Sequence, residues 1–275
     1  MSFFKEGTLG AEYTTVLDDS KLPHGTANGG ARVERPGIAA LIAALEARDQ
    51  LSDVEKQALE RLPWRFKDCT RGSEIIRDRS HPTESCLVTE GFAVRAGYLR
   101  SGQRQLTAVQ VPGDFADLHG LLLRLMDHSV IALTDCRVGF VDHAALRRLS
   151  SEHPHLWRVL MLMVAIDGSI QRSWLVSMGR RNPVSHLAHL ICEIHQRLLA
   201  VGRAGRHEFE LPIGQADLAD LLGLSVVHTN RTLQELRAQN LVQWRGGIVQ
   251  VPDLKALAVL AEFDPIYLHL KRERR

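Results

Sequence analysis

Paired cysteines are missing from this chain. The four present, Cys69, Cys86, Cys136 and Cys192, show no CxxC or Cys/His spacing. A structural zinc site or an iron–sulfur cluster therefore has no basis in the sequence, and no metal or cofactor is expected. Scattered thiols suit a reducing cytosol, where each behaves as a small buried hydrophobe. Long apolar runs are missing as well. The longest, Val159 to Ile166, stops at Asp167, far short of the ~20 residues that span a bilayer. Lys5 is not followed by an apolar stretch, so a secretory signal is absent. The expectation is a cytoplasmic protein with no membrane partner. Net charge is also scarce: 34 Lys and Arg stand against 32 Asp and Glu. Any nucleic-acid surface must then be local, not spread over the protein. No nucleophile elbow, phosphate loop, metal motif or paired-carboxylate arrangement is found, which argues against an enzyme.

What is present falls into blocks. Residues 1–36 mix Gly, Thr, Asp and Ser without periodicity and read as a flexible N-terminal arm. Ile38 to Leu45 reads as a short helix. Ser52 followed three residues later by Glu55 is a capping box that opens a second helix, ended by Pro63. From Trp64 to Phe140 short β-like runs alternate with turns, at Cys86–Thr89, Phe92–Leu99, Leu106–Val111 and Ile131–Val141. Closely spaced strands of this kind suit a sandwich or barrel, and Gly91, Gly102 and Gly113 fall where its corners need positive φ.

A long helical pattern then runs from Pro154 to Met178. Leu156, Leu160, Met163, Ile170 and Trp174 make one apolar stripe, and Val159, Met163, Ile166 and Ile170 an overlapping one. A single stripe is enough to dock a helix on its own domain. Two stripes fit a helix that also packs on a partner, the alternative being a wholly buried helix of a monomer. The dimer is favoured because dimeric DNA readers match two-fold operators, and the five residues of the first stripe are its expected seam. Gly179 to Pro183 breaks the helix and reads as a hinge, where Arg180 and Arg181 either reach phosphate or are solvated.

The most specific signal is Gly214 to Leu236. Two helices crossing steeply need a small residue at their contact, supplied by Ala219. The turn between them needs a residue tolerant of positive φ, supplied by Gly223. Leu218, Leu222 and Leu224 form the inner face, Ser225 caps the second helix, and Leu233 and Leu236 continue inward. Asp217 and Asp220 share a face of the first helix and read as solvated. Leu241 to Val251 follows as two β runs around Arg245-Gly246-Gly247, a wing. The surface expected to meet double-stranded DNA is then Ser225, Val226, Val227, His228, Asn230 and Arg231, with Arg245 on phosphate. Thr229 and Thr232 face inward.

With these motifs in place the chain resembles the Crp/Fnr superfamily of bacterial transcription regulators over roughly residues 40–262. The phrases Leu222-Gly223-Leu224-Ser225 and Asn230-Arg231-Thr232-Leu233 are similar to its DNA-binding signature. Gly113-Asp114-Phe115 is similar to its β-roll turn. The resemblance implies an α+β fold: an N-terminal double-stranded β-helix (jelly-roll) sensor over residues 37–153, a dimerisation helix over 154–179, a winged helix-turn-helix over 180–262 and a C-terminal tail over 263–275. It implies a homodimer on an inverted repeat, with RNA polymerase as a further partner if the protein activates. Cyclic-nucleotide-binding members carry Gly-Glu and then Arg-Ser after the turn. Here Asp117-Leu118 and His128-Ser129 occupy those places, so the effector pocket expected at these four residues does not suit cyclic AMP. The effector, if there is one, is a different small molecule. The alternative reading is a small-ligand module whose DNA binding is secondary. Val227 replaces a cytosine-reading Glu, which implies thymine at the matching operator step.

Overall fold

The computed structural model describes residues 37–273, so the arm assigned to residues 1–36 lies outside the described residues. Helix α1 (Ala39–Glu46) comes first. Helix α2 (Asp53–Glu60) starts at Ser52, whose hydroxyl accepts from Glu55 N while the Glu55 carboxylate accepts from Ser52 N at 2.8 Å. The capping box thus satisfies two of the amide donors that a helix start leaves open.

The roll follows as β1 (Arg65–Cys69), β2 (Glu74–Ile76), β3 (Glu84–Glu90), β4 (Ala93–Tyr98), β5 (Arg104–Gln110), β6 (Ser129–Ala132) and β7 (Cys136–Asp142). Two antiparallel sheets, ordered β1-β7-β3 and β2-β6-β4-β5, make the roll. Cys69, Cys86, Val88, Val130, Cys136 and Val138 pack together as a core cluster. Strands β3, β4 and β6 are buried at consecutive positions, Ser85 to Thr89, Ala93 to Ala96 and Ser129 to Ala132, so both of their faces are covered. All four cysteines are buried. The corner glycines Gly91, Gly102 and Gly113 take φ of 69°, 84° and 97°. At Gly113 a Cβ would meet the Ala40 carbonyl oxygen at 2.6 Å, so the turn also admits α1 against the roll.

Helix α3 (His143–Glu152) follows the last strand, a helix the strand-like texture of the region hides. Pro154 then starts α4 (Pro154–Arg180), 27 residues long. By length and apolar composition α4 could cross a bilayer. It instead sinks Leu156, Val159, Leu160, Ile166, Ile170 and Trp174 into the protein's own core and carries Asp167 in an ion pair with Arg95.

Helix α5 (Pro183–Ala200) and strand β8 (Glu208–Glu210) lead to α6 (Gln215–Leu222), α7 (Val226–Ala238), β9 (Gln243–Arg245), β10 (Ile248–Gln250) and α8 (Leu254–Ala261). β8, β10 and β9 form a three-stranded sheet. The segment read as a C-terminal tail begins inside the core. Phe263 and Leu268 are buried, and residues Pro265–Leu268 form a 3-10 turn. A chain end that carries Phe, Ile, Tyr and Leu within six residues has enough apolar surface to dock.

Candidate nucleic-acid interface

Gly223 ends α6 in the left-handed conformation, φ 65° and ψ 30°, and redirects the chain within two residues. Ser225 then caps α7, its hydroxyl accepting from His228 N at 3.2 Å. Ala219 is buried at the helix crossing, with Leu218, Leu222, Leu233 and Leu236 beneath it. Thr229 and Thr232 are buried too, so α7 turns Val226, Val227, His228 and Arg231 outward. Val227 is 73% exposed, an apolar side chain with nothing of its own protein to cover it. Across the wing, Arg245 pairs in register with Ile248, and Gly246 and Gly247 turn the hairpin with φ of 59° and 82°. Arg245 is exposed.

Other residues near this surface are already engaged. Asn230 is half-buried, and its Nδ2 donates to Gln215 Oε1 at 3.0 Å, tying α7 to the start of α6. Its first role is to hold the helix pair, a partnership that the sequence does not announce because Gln215 lies 15 positions away. Arg181 donates from Nε to Ala261 O at 2.9 Å and from Nη2 to Glu262 O at 3.2 Å. It therefore caps the end of α8, while Arg180 is exposed.

Asp217 and Asp220 are not solvated. Arg104 on β5 reaches Asp217 at 2.8 Å and Asp220 at 2.6 Å, and Arg71 reaches Asp217 at 2.7 Å. Gln105 Nε2 donates to Asp220 O at 2.6 Å. The first helix of the pair is thus strapped to the roll by groups of opposite charge that lie more than a hundred positions apart. Pattern reading along one helix cannot find such partners.

The four residues expected to form the effector pocket do not converge. Asp117 is buried, and its Oδ1 accepts from Cys86 N at 2.6 Å. Burial raises its pKa to about 7 against the pull of that hydrogen bond and of Arg95. Ser129 donates to Glu74 Oε1 at 2.9 Å and accepts from Asp78 N at 3.2 Å. Only Leu118 of the four faces the cavity between the roll and α4, which Arg95, Asp114, His119, Val164 and Asp167 also line. The cavity measures about 30 Å³, room for a water or two where ligand pockets run to ~300 Å³ or more. Arg95 is satisfied within it, donating to Ala116 O at 2.8 Å and to Asp167 Oδ2 at 2.6 Å. His128 sits at the edge of this region, with Asp127 Oδ1 2.6 Å from its Nδ1. Burial, Arg95 and the neighbouring His128 hold His119 down at about 4. Burial and Arg95 also lower His128, against its hydrogen bond to Asp127.

The stripe expected to be the dimer seam is likewise internal. Leu156, Leu160, Ile170 and Trp174 are buried in the chain's own core, and Met163 is half-buried. Trp174 Nε1 donates to the Glu193 carboxylate at 3.0 Å. Beside it Trp157, Met161 and Val164 are half-buried against the same core, Gly168 is half-buried, and Leu175 is 73% exposed. Both stripes have the same spacing along the helix, and only packing against the roll decides which of them is used up.

Residues 66–153 match the cyclic nucleotide-binding domain family, and residues 185–260 match the Crp-like helix-turn-helix domain family. The nitrogen fixation regulation protein FixK of Bradyrhizobium diazoefficiens is 26% identical over 190 residues, 69% of this chain and 79% of that protein. The transcriptional activator protein FnrL of Cereibacter sphaeroides is 24% identical over 195 residues, 70% of this chain and 77% of its own length. Among solved structures, FixK2 from Bradyrhizobium japonicum superposes with a TM-score of 0.65 at 22% identity, covering 72% of this chain and 98% of that one.

Proposed function

Because the chain belongs to the Crp/Fnr superfamily of transcription regulators, we propose that it acts in the cytoplasm as a homodimer on an inverted-repeat operator, without control by cyclic AMP. It is a DNA-binding regulator and not an enzyme. One observation carries the finer reading: Val226, Val227, His228 and Arg231 are exposed together on the first turns of α7, and Arg245 is exposed on the wing. The N-terminal end of such a helix enters the major groove, where valines pack on thymine methyls and Arg pairs with guanine. Arg245 suits a phosphate. The small cavity beside Arg95 supports the exclusion of cyclic AMP and weighs against a module whose main task is nucleotide binding. An activator would engage RNA polymerase as well.

The test is selection of bound sequences from a random DNA pool by the purified full-length protein. An inverted repeat with half-site centres one turn apart, ~34 Å, is the expected result. Arg231→Ala should cost about 1–3 kcal/mol of operator affinity and relax readout at one base step. An equal loss on every sequence would make Arg231 a phosphate contact instead. Failure of the native protein to enrich any sequence would count against the operator reading.

The seam of this dimer is the stripe of α4 that the core leaves partly uncovered, at Trp157, Met161, Val164, Gly168 and Leu175 and not at the inward stripe. These residues alternate four- and three-residue steps, the spacing of a paired helix, up to the gap between Gly168 and Leu175. The double variant Val164→Glu and Leu175→Glu should sediment as a monomer. Its operator affinity should fall roughly a hundredfold or more, as two linked half-site contacts become one. A dimer of undiminished stability would move the interface elsewhere.

A further inference from the structure

The stretch from Asp117 to Ser129 lies between β5 and β6 of the roll. His119 sits on the 3-10 turn Leu118–Leu121, and Asp127 and His128 immediately precede β6. The fold brings these three side chains together, so that one ligand atom from each lies within 4.8 Å of the others. The two imidazole rings have centroids 5.2 Å apart. No ligand spacing in the sequence marks this set, because a leucine-rich loop separates the two histidines and only the folded turn makes them meet.

His128 is prepared on one side and unserved on the other. Its Nδ1 meets Asp127 Oδ1 at 2.6 Å, which fixes the ring and its tautomer. Its Nε2 is buried and has no hydrogen-bond partner. A ring held by a carboxylate through one nitrogen, with a lone pair at the other, is the arrangement by which metal-binding histidines are oriented. Arg95 stands nearby, and its positive charge is offset by Asp167 at 2.6 Å.

We propose that His119 and His128 bind one divalent cation of the zinc class, His128 through Nε2 while Asp127 orients its ring, and that this cation is the signal the roll senses. Imidazole ligands suit Zn²⁺ and its neighbours over Mg²⁺ or Ca²⁺, with water completing the shell. Coupling to the rest of the protein is direct. His119 lines the same small cavity as Val164 and Asp167 of α4, so a cation that fixes His119 acts where the dimer helix packs on the roll. The sensing half of this proposal rests on the regulator reading above; the binding half does not.

The test uses untagged full-length protein stripped by chelator, titrated with Co²⁺ as an optical probe and with Zn²⁺ as competitor. One equivalent of Co²⁺ should develop the visible absorption of a tetrahedral site and be displaced by Zn²⁺. His119→Ala and His128→Ala should each abolish that signal. Asp127→Asn should weaken binding about tenfold or more, and its side chain, 79% exposed, can be changed without disturbing the core. Absence of the signal in the native protein, its persistence in both histidine variants, or an unchanged affinity in Asp127→Asn would each overturn the site. Operator affinity measured with and without Zn²⁺ reads the sensing role separately, with a change of about tenfold or more expected. Cation binding with an unchanged operator affinity would overturn the sensing role and leave the site standing. Loss of operator binding in both conditions would strike the regulator reading, which the Co²⁺ signal does not depend on.

Discussion

Replacing Arg197 with methionine is expected to remove about 3–5 kcal/mol of stability, because it strands two carboxylates inside the protein. The guanidinium lies at the centre of a buried network. Nη1 meets Glu193 Oε1 at 3.1 Å, and Nη2 reaches both Val109 O, at 2.9 Å, and Asp114. Side-chain exposure is 5% for Arg197 and 0% for Glu193. Burial alone would lower the arginine, but Asp114 and Glu193 overrule it and hold the charge in place. Burial pushes the Glu193 carboxyl up, against Arg197, Tyr267 and Trp174. Tyr267 donates to Glu193 Oε2 at 2.8 Å, and Trp174 adds its indole N–H. Four separate parts of the chain meet here: the Gly-Asp-Phe turn of the roll, α4, α5 and the C-terminal segment. The measurement is urea unfolding of Arg197→Met beside the native protein. The companion Arg197→Met with Glu193→Gln should recover part of the loss, since a neutral amide needs no counter-charge. A loss below about 1 kcal/mol for the single change would mean that the buried carboxylates find other partners or become protonated without strain.

Much of this protein can be read along its sequence, and the parts that cannot share a physical reason. The capping box at Ser52, the left-handed turn at Gly223, the cap at Ser225 and the Gly246-Gly247 hairpin depend on residues within four positions of one another, and each forms as its local chemistry requires. The α4 stripe shows the limit. Leu156, Leu160, Ile170 and Trp174 have the periodicity of a dimer seam, yet the same periodicity serves a helix that packs on its own roll. Deciding between them needs the position of β4 and β5, which no helix pattern contains. Asp217 and Asp220 likewise look solvated until Arg104 and Arg71 arrive from the roll, and Asn230 looks free until Gln215 does. At the effector end, substitution by substitution comparison argues against a nucleotide site. It cannot reveal that His119 joins His128, since His119 has no counterpart in the motif being compared. Strand β1 escapes notice for a simpler reason: with Arg65, Lys67 and Asp68 exposed or half-exposed, it presents more charge than apolar surface.

Acidification should unfasten the junction between α4 and α5 well before it reaches the pKa of an ordinary carboxylate. His186 and His189 face α4 from the first turns of α5. His186 Nδ1 lies 2.7 Å from Ser177 Oγ, and His189 Nε2 lies 3.3 Å from Ser173 Oγ. Tyr267 stacks on His189 at 5.8 Å, and Phe263 meets its edge at 5.3 Å. Burial, with the cation of Arg181 beside it, lowers His186 from 6.5 to about 4. The same two causes, together with His186 itself, lower His189 to about 3. The unfolded chain therefore takes up these protons as pH drops below 6.5, while the native chain refuses them until about 4 or lower. Their contribution is complete above pH 6.5 and drains away as pH falls through that window, by about 2 kcal/mol per histidine near pH 5. Glu193, one turn further along α5, works in the opposite sense: its raised carboxyl pKa makes the native state the better proton acceptor. A comparison of variants removes that contribution. Thermal melts of the native protein and of His186→Gln with His189→Gln, at neutral pH and near pH 5, isolate the pair. The variant should lose about 4 kcal/mol less on acidification than the native protein does. The same pH dependence in both would show that the two imidazoles take up protons in place, and that the junction carries no acid-sensitive cost. Because Asn182 and Pro183 begin α5 at this junction, a loosened contact would shift the start of the winged helix and leave it held to the roll by the Arg104 and Arg71 pairs with Asp217 and Asp220. Operator binding should then fall over the same pH range in which the melts diverge.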